Sequence, residues 1–170
     1  MTDASADLTA AELAEYCRVQ ARLLSGQLEA LGEEVEALLA ELESTAAELD
    51  ERLAEHHQQL DGAARAPSPL PEDAVEDAIR ETEAMQDDLA ARQATVEDKQ
   101  ARMADLEALL TGYADLASDL EDGDADGEAA LRRVFRFEAR RDAPGFFPER
   151  LTVLEAATES DEPAADDDDP

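Results

Sequence analysis

Residues 10–49 read AAELAEYCRVQARLLSGQLEALGEEVEALLAELESTAAEL, and the spacing of their apolar side chains decides the fold. One row is Ala10, Cys17, Leu24, Leu31 and Leu38; a second is Ala14, Ala21, Leu28, Val35, Leu42 and Leu49. Steps of three and four alternate between the rows, so both lie on one stripe of an α-helix, the pattern of a two-helix seam. Asp7 and Thr9 are candidate caps, and Glu12 stands three residues beyond Thr9 as a capping box requires. The helix is expected to run from about Leu8 to Gln59. After Leu42 the rhythm slips to Ala46, Leu49, Leu53, His57 and Leu60, a local stutter. Gly26 and Gly32 weaken the helix by about 1 kcal/mol each relative to Ala.

Residues 61–71 hold Gly62, Pro67, Pro69 and Pro71, which end the helix and form a connector. Glu72 and Asp73 then place acids at the start of a second helix, at the positive end of its dipole. Its stripe is Val75, Ile79, Thr82, Leu89, Val96, Met103, Leu106, Leu110, Tyr113 and Leu120, with Arg92 and Lys99 also on it. Two long helices joined by a short connector fold back as an antiparallel hairpin, here residues 8–120. About 50 residues at 1.5 Å each span roughly 75 Å. In that register Arg92 and Lys99 lie near Glu36, Glu41 and Glu43, as polar contacts that set the alignment. The paired helices resemble the tentacles of prefoldin subunits in outline, although prefoldin places strands where this chain has its Pro-rich connector.

Residues 121–130 form an Asp/Gly linker, after which the composition changes. Residues 131–150 carry six of the fourteen bases and three of the 45 acids, so this stretch is positive in a chain of net charge −31. All four Phe residues sit here as well. Residues 134–137 and 151–154 are short runs of strand formers around Pro144 and Gly145, which predicts a β-hairpin-like module over 131–155. Residues 156–170 are expected to be a disordered acidic tail. The expected class is therefore all-α: a long antiparallel coiled-coil hairpin with a small C-terminal β module and an acidic tail.

Composition narrows the function. Aromatics make up 4% of the chain, there is no Trp, and the large apolar residues are mostly Leu, which suits a seam better than a globular core. Abundant Asp and Glu, one Lys and much Ala resemble haloarchaeal proteins, which implies a cytoplasm of molar salt that the fold requires for stability. No run approaches the roughly 18 apolar residues of a membrane span, and residues 1–8 carry no signal-peptide pattern. The single Cys17 cannot form an internal disulfide and fits a buried inert thiol in the first row. These features point to a cytoplasmic protein.

Chemistry-bearing motifs are few. There is no G-x-x-x-x-G-K, no G-x-G-x-x-G and no nucleophile-elbow serine, and a helical hairpin has no interior to perturb a carboxylate. Neither an enzyme nor a cofactor is implied. Asp122, Asp124, Asp126 and Gly127 match the start of an EF-hand calcium loop, but Arg133 stands where the twelfth ligand belongs. These three Asp residues are a weak metal candidate. His56 and His57 project about 100° apart on a helix and do not clamp one ion.

Composition does not predict the Arg/Phe segment. Arg132, Arg133, Phe135, Arg136, Phe137, Arg140, Arg141, Phe146 and Phe147 are the candidate partner-binding residues, because Arg and aromatics concentrate at interface hot spots. The expected function is a non-enzymatic coiled-coil scaffold with a protein partner or self-association. The alternative is a chaperone-like or nucleic-acid-associated accessory protein acting through the same segment. The acidic remainder and molar salt both oppose phosphate contacts.

Overall fold

The computed structural model describes residues 8–65 and 70–160. These form α1 (Ala10–Arg65), α2 (Glu72–Asp122), α3 (Gly127–Arg141), a 3₁₀ turn at Ala143–Phe146, and α4 (Val153–Ser160). The expected capping box opens α1: the Thr9 N–H donates to Glu12 Oε2 at 2.8 Å and the Glu12 N–H to Thr9 Oγ1 at 3.2 Å. Asp7 lies outside the described residues. α2 begins at Glu72 as expected, whereas α1 runs on through Gly62 to Arg65, so the connector is shorter at its start than 61–71. Pro67 and Pro69 lie outside the described residues.

The largest correction concerns residues 131–155. No strand occurs among the described residues, and the β-hairpin-like module is helical. Val134 and Phe137 lie inside α3. Asp126 caps its start by accepting the Ala129 N–H at 2.8 Å. A stripe at steps of four, Ala130, Val134 and Glu138, is buried along it. Asp142 ends α3 in the left-handed region, φ 51° and ψ 42°, which Asp tolerates better than most residues. Leu151 and Thr152 do not pair as a strand either. Thr152 and Glu155 form a second capping box that starts α4: Thr152 N–H to Glu155 Oε2 is 3.0 Å and Glu155 N–H to Thr152 Oγ1 is 3.3 Å. The expected linker 121–130 shrinks to residues 123–126, and the expected tail is helical over 156–160; residues 161–170 lie outside the described residues.

The chain divides into two compact units, Ala30–Met103 and Met1–Glu29 with Ala104–Pro170. In the first, α1 and α2 pack together and run antiparallel, since Arg92 pairs with Glu41 at 2.8 Å, Lys99 with Glu34 at 2.7 Å and Arg52 with Glu81 at 3.6 Å. The partners expected for Arg92 and Lys99 were Glu36, Glu41 and Glu43; Glu34 takes the place beside Lys99. The seam is thin. Among the described residues, its buried side chains are Val35, Leu49 and Val96, each contributing about 1.5–3 kcal/mol. Ile79 does not join it and is 53% exposed; the smaller Ala78 faces inward instead. The expected stutter is absent too, because His56 rather than His57 is half-buried, with Nδ1 3.4 Å from Thr82 Oγ1.

The second unit has a true core. Leu13, Ala14, Cys17 and Leu24 of α1 meet Leu106, Leu109, Tyr113, Ala117 and Leu120 of α2. Ala130 and Val134 of α3 and the following Ala143 and Phe147 complete it. Leu13 and Leu109 lie off the heptad stripe yet are buried, so burial in this unit extends beyond a two-helix seam. Gly112 makes room for α3: a Cβ there would lie 2.4 Å and 2.7 Å from two carbons of the Phe137 ring.

Candidate arginine surface and buried carboxylate

α3 carries two sets of polar residues with opposite fates. The inward set centres on Glu138, which is fully buried. Its Oε1 accepts from the Tyr16 hydroxyl at 2.5 Å and from the Tyr113 hydroxyl at 2.9 Å, and its Oε2 accepts the Leu154 N–H at 2.7 Å. The Tyr16 oxygen in turn accepts from Gln20 Nε2 at 3.1 Å and from the Val153 N–H at 3.2 Å. One carboxylate therefore ties together α1, α2, α3 and the start of α4. A buried charge is costly unless hydrogen bonds replace its water, and here three donors do so. Gln20 Oε1 has no partner among the described residues. Burial is the main reason that both tyrosine hydroxyls hold their protons far above the usual value, and the Glu138 charge adds to it. Burial, then Glu138, pushes the Cys17 thiol up to about 12. The two hydroxyls and the Cys17 thiol are thus held in their protonated forms, which for the thiol is the opposite of an activated nucleophile.

The outward set is the arginines. Arg132 pairs with Glu128 one turn earlier. Arg133, Arg136, Arg140 and Arg141 line a groove of about 380 Å³ whose floor is Leu116 of α2 and Phe137. Among the described residues, none of these four makes an ion pair. In contrast, Arg18, Arg22, Arg52, Arg80, Arg92 and Lys99 all have carboxylate partners. Arg140 and Arg141 also lie in the last turn of α3, where cations are favoured by the helix dipole.

The four Phe residues separate. Phe137 packs edge-on against Tyr113, with centroids 4.8 Å apart, and is half-buried. Phe147 is buried, 6.1 Å from the same ring, and is not available to a partner. Phe146 is half-buried, and its carbonyl accepts from Gln27 Nε2 at 2.9 Å. Phe135 alone is an exposed large aromatic, at 38%. The structure therefore brings Arg133, Arg136, Phe137, Arg140 and Arg141 together, leaves Arg132 and Phe135 elsewhere on the helix surface, buries Phe147 and leaves Phe146 half-buried outside the groove.

Asp126 is occupied as the α3 cap, Asp122 is the last residue of α2, and Asp124 is exposed between them. Among the described residues, no group of three His, Cys, Asp or Glu side chains is gathered to hold a metal ion. Among the described residues, no helix is long and apolar enough to cross a membrane. A second groove, of about 260 Å³, lies in the Ala30–Met103 unit between Leu53, Leu60, Val75 and Ile79. No family model, curated protein or solved structure matches the chain.

Sequence reading did not single out Glu138, Tyr16, Gln20 or Leu116, and it placed Tyr113 on the α2 stripe, where it is buried, without its role beside Glu138. Glu138 had a signal: it follows Ala130 and Val134 at steps of four, so any helical reading of this stretch places it inward.

Proposed function

We propose that this chain is a non-enzymatic interaction protein in which a coiled-coil pair of helices serves as scaffold and the groove beside α3 is the docking site. The observation that carries this reading is the cluster of four arginines that have no carboxylate partner among the described residues, in a chain of 45 acids and 14 bases. Arginine is a common anchor of interfaces because its planar guanidinium forms paired hydrogen bonds and is weakly hydrated. Composition supports a cytoplasm of high salt as the setting.

The test is affinity purification of the tagged chain from its native cell in about 1 M KCl, where exposed charge effects are largely screened. Deleting residues 131–154 is unsuitable, because it removes Val134, Glu138 and Phe147 from the core. The intact chain is instead compared with Arg133→Gln/Arg136→Gln/Arg140→Gln. One stoichiometric partner lost with the triple variant supports the docking site. Identical partners on both forms, or none on either, rules out the groove.

A further inference from the structure

The groove has a definite chemistry, and it narrows the partner. Resting on the docking-site reading above, we propose that it binds a short acid-rich segment of a partner protein carrying an apolar anchor residue. Arg133, Arg136, Arg140 and Arg141 cover two turns of α3, about 12 Å at 1.5 Å per residue. Four residues of extended chain span about the same distance, so a few carboxylates reach all four guanidinium groups. Each pairing is charge-assisted and can be bidentate. Leu116 and Phe137 between the arginines form an apolar floor, which acidic side chains alone leave uncovered. An apolar residue flanked by acids covers both.

Two observations set this against nucleic acid, the other polyanion that arginines grip. The Phe137 ring is half-buried and held in a T-shaped contact with Tyr113, so it offers a base less stacking surface than an exposed ring does. A nucleic acid also continues past the groove with a charge every few ångströms. Beyond the groove it meets the exposed carboxylates of Asp115 and Asp119 on α2 and a remainder that is strongly negative. A segment of a few residues ends before that repulsion accumulates.

The test is a fluorescence-anisotropy titration of the full chain in about 1 M KCl. The probes are a labelled dodecapeptide of Asp and Glu with a central Leu-Phe pair, the same peptide with Ser-Ser at the centre, and a twelve-nucleotide single-stranded DNA. The expected result is saturable binding of the Leu-Phe peptide, weakened about tenfold or more by Arg133→Gln/Arg136→Gln/Arg140→Gln and unchanged by Arg132→Gln. The Ser-Ser peptide binds about tenfold more weakly to the unaltered chain, a comparison that does not depend on any variant folding. Equal binding of the Leu-Phe peptide to the intact and triple-variant chains overturns the proposal, as does tighter binding of the DNA through the same arginines. Asp166→Asn/Asp167→Asn/Asp168→Asn/Asp169→Asn is made in the full chain as well. If it tightens peptide binding about tenfold, the chain's own acidic residues are the occupant and the separate partner is rejected. An arginine-dependent protein from the native cell together with no peptide binding rejects the acidic-segment chemistry while leaving the docking site standing.

Discussion

Glu138 shows how much one residue holds. Truncating it to Ala leaves the hydroxyls of Tyr16 and Tyr113 and the N–H of Leu154 without their acceptor. Stranded buried donors cost about 1–3 kcal/mol each, so Glu138→Ala is expected to destabilise the protein by about 3 kcal/mol or more. Tyr113→Phe keeps the ring and removes one donor from three, so the expected loss is about 1–2 kcal/mol. Urea unfolding at fixed KCl reads both; a similar loss for the two variants rejects the clasp. The same cluster sets an alkaline limit. Tyr16, Tyr113 and Cys17 titrate higher in the folded chain than their ordinary values of 10.0, 10.0 and 9.0. In that interval the folded state binds more protons than the unfolded state, so stability falls as pH rises. It is fully present below about pH 8 and declines from about pH 9 upward. Thermal melts across that range check the sign; a melting temperature that stays level or rises is the contrary result.

At the scale of elements, the two long helices were legible because apolar residues recur along them at steps of three and four, which a sequence displays directly, although Ile79 is exposed and Leu13 and Leu109 are buried off that stripe. The capping box at Thr9 and Glu12 was legible for the same reason. Residues 131–155 misled because Phe and Val favour strands locally, while the deciding features were tertiary or overlooked. The second capping box, Thr152 and Glu155, was present in the sequence. The packing of α3 against Tyr113 and Gly112 was not, since it depends on which face of a hairpin a later segment meets. Gly112 tests this packing. Within a helix Ala is favoured over Gly by about 1 kcal/mol, and a Cβ at Gly26 or Gly62 meets nothing within 4 Å. Gly26→Ala and Gly62→Ala are expected to stabilise by up to about 1 kcal/mol. Gly112→Ala forces the Phe137 ring outward and is expected to destabilise by about 1–3 kcal/mol. Thermal unfolding of the three variants gives opposite signs if Phe137 sits where described; a stabilising Gly112→Ala removes that contact from the fold.

Across the whole molecule, charge and burial are distributed unequally. Residues 30–103 hold twenty acids and six bases, a net charge of −14, around a seam whose buried side chains among the described residues are Val35, Leu49 and Val96. The other unit carries −17, but it sets this against the Leu, Tyr and Phe core and the Glu138 clasp. Self-repulsion weakens a compact state, and a unit with little buried area has less to offset it. At about 0.01 M salt the Debye length is about 30 Å and carboxylates several helical turns apart repel one another; at about 1 M it is about 3 Å and only near neighbours do. Raising KCl between those limits is therefore expected to stabilise both units, and the Ala30–Met103 unit more. Amide hydrogen exchange resolves the difference: protection at Leu42, Leu49 and Val96 should rise steeply with KCl, while protection at Leu13, Leu109 and Val134 rises less. Specific ion pairs such as Arg92 with Glu41 and Lys99 with Glu34 weaken in salt, so they act in the opposite direction. If protection at Leu42 and Val96 falls as KCl rises, those pairs outweigh the repulsion, and the acidic surface is not an adaptation that screening completes.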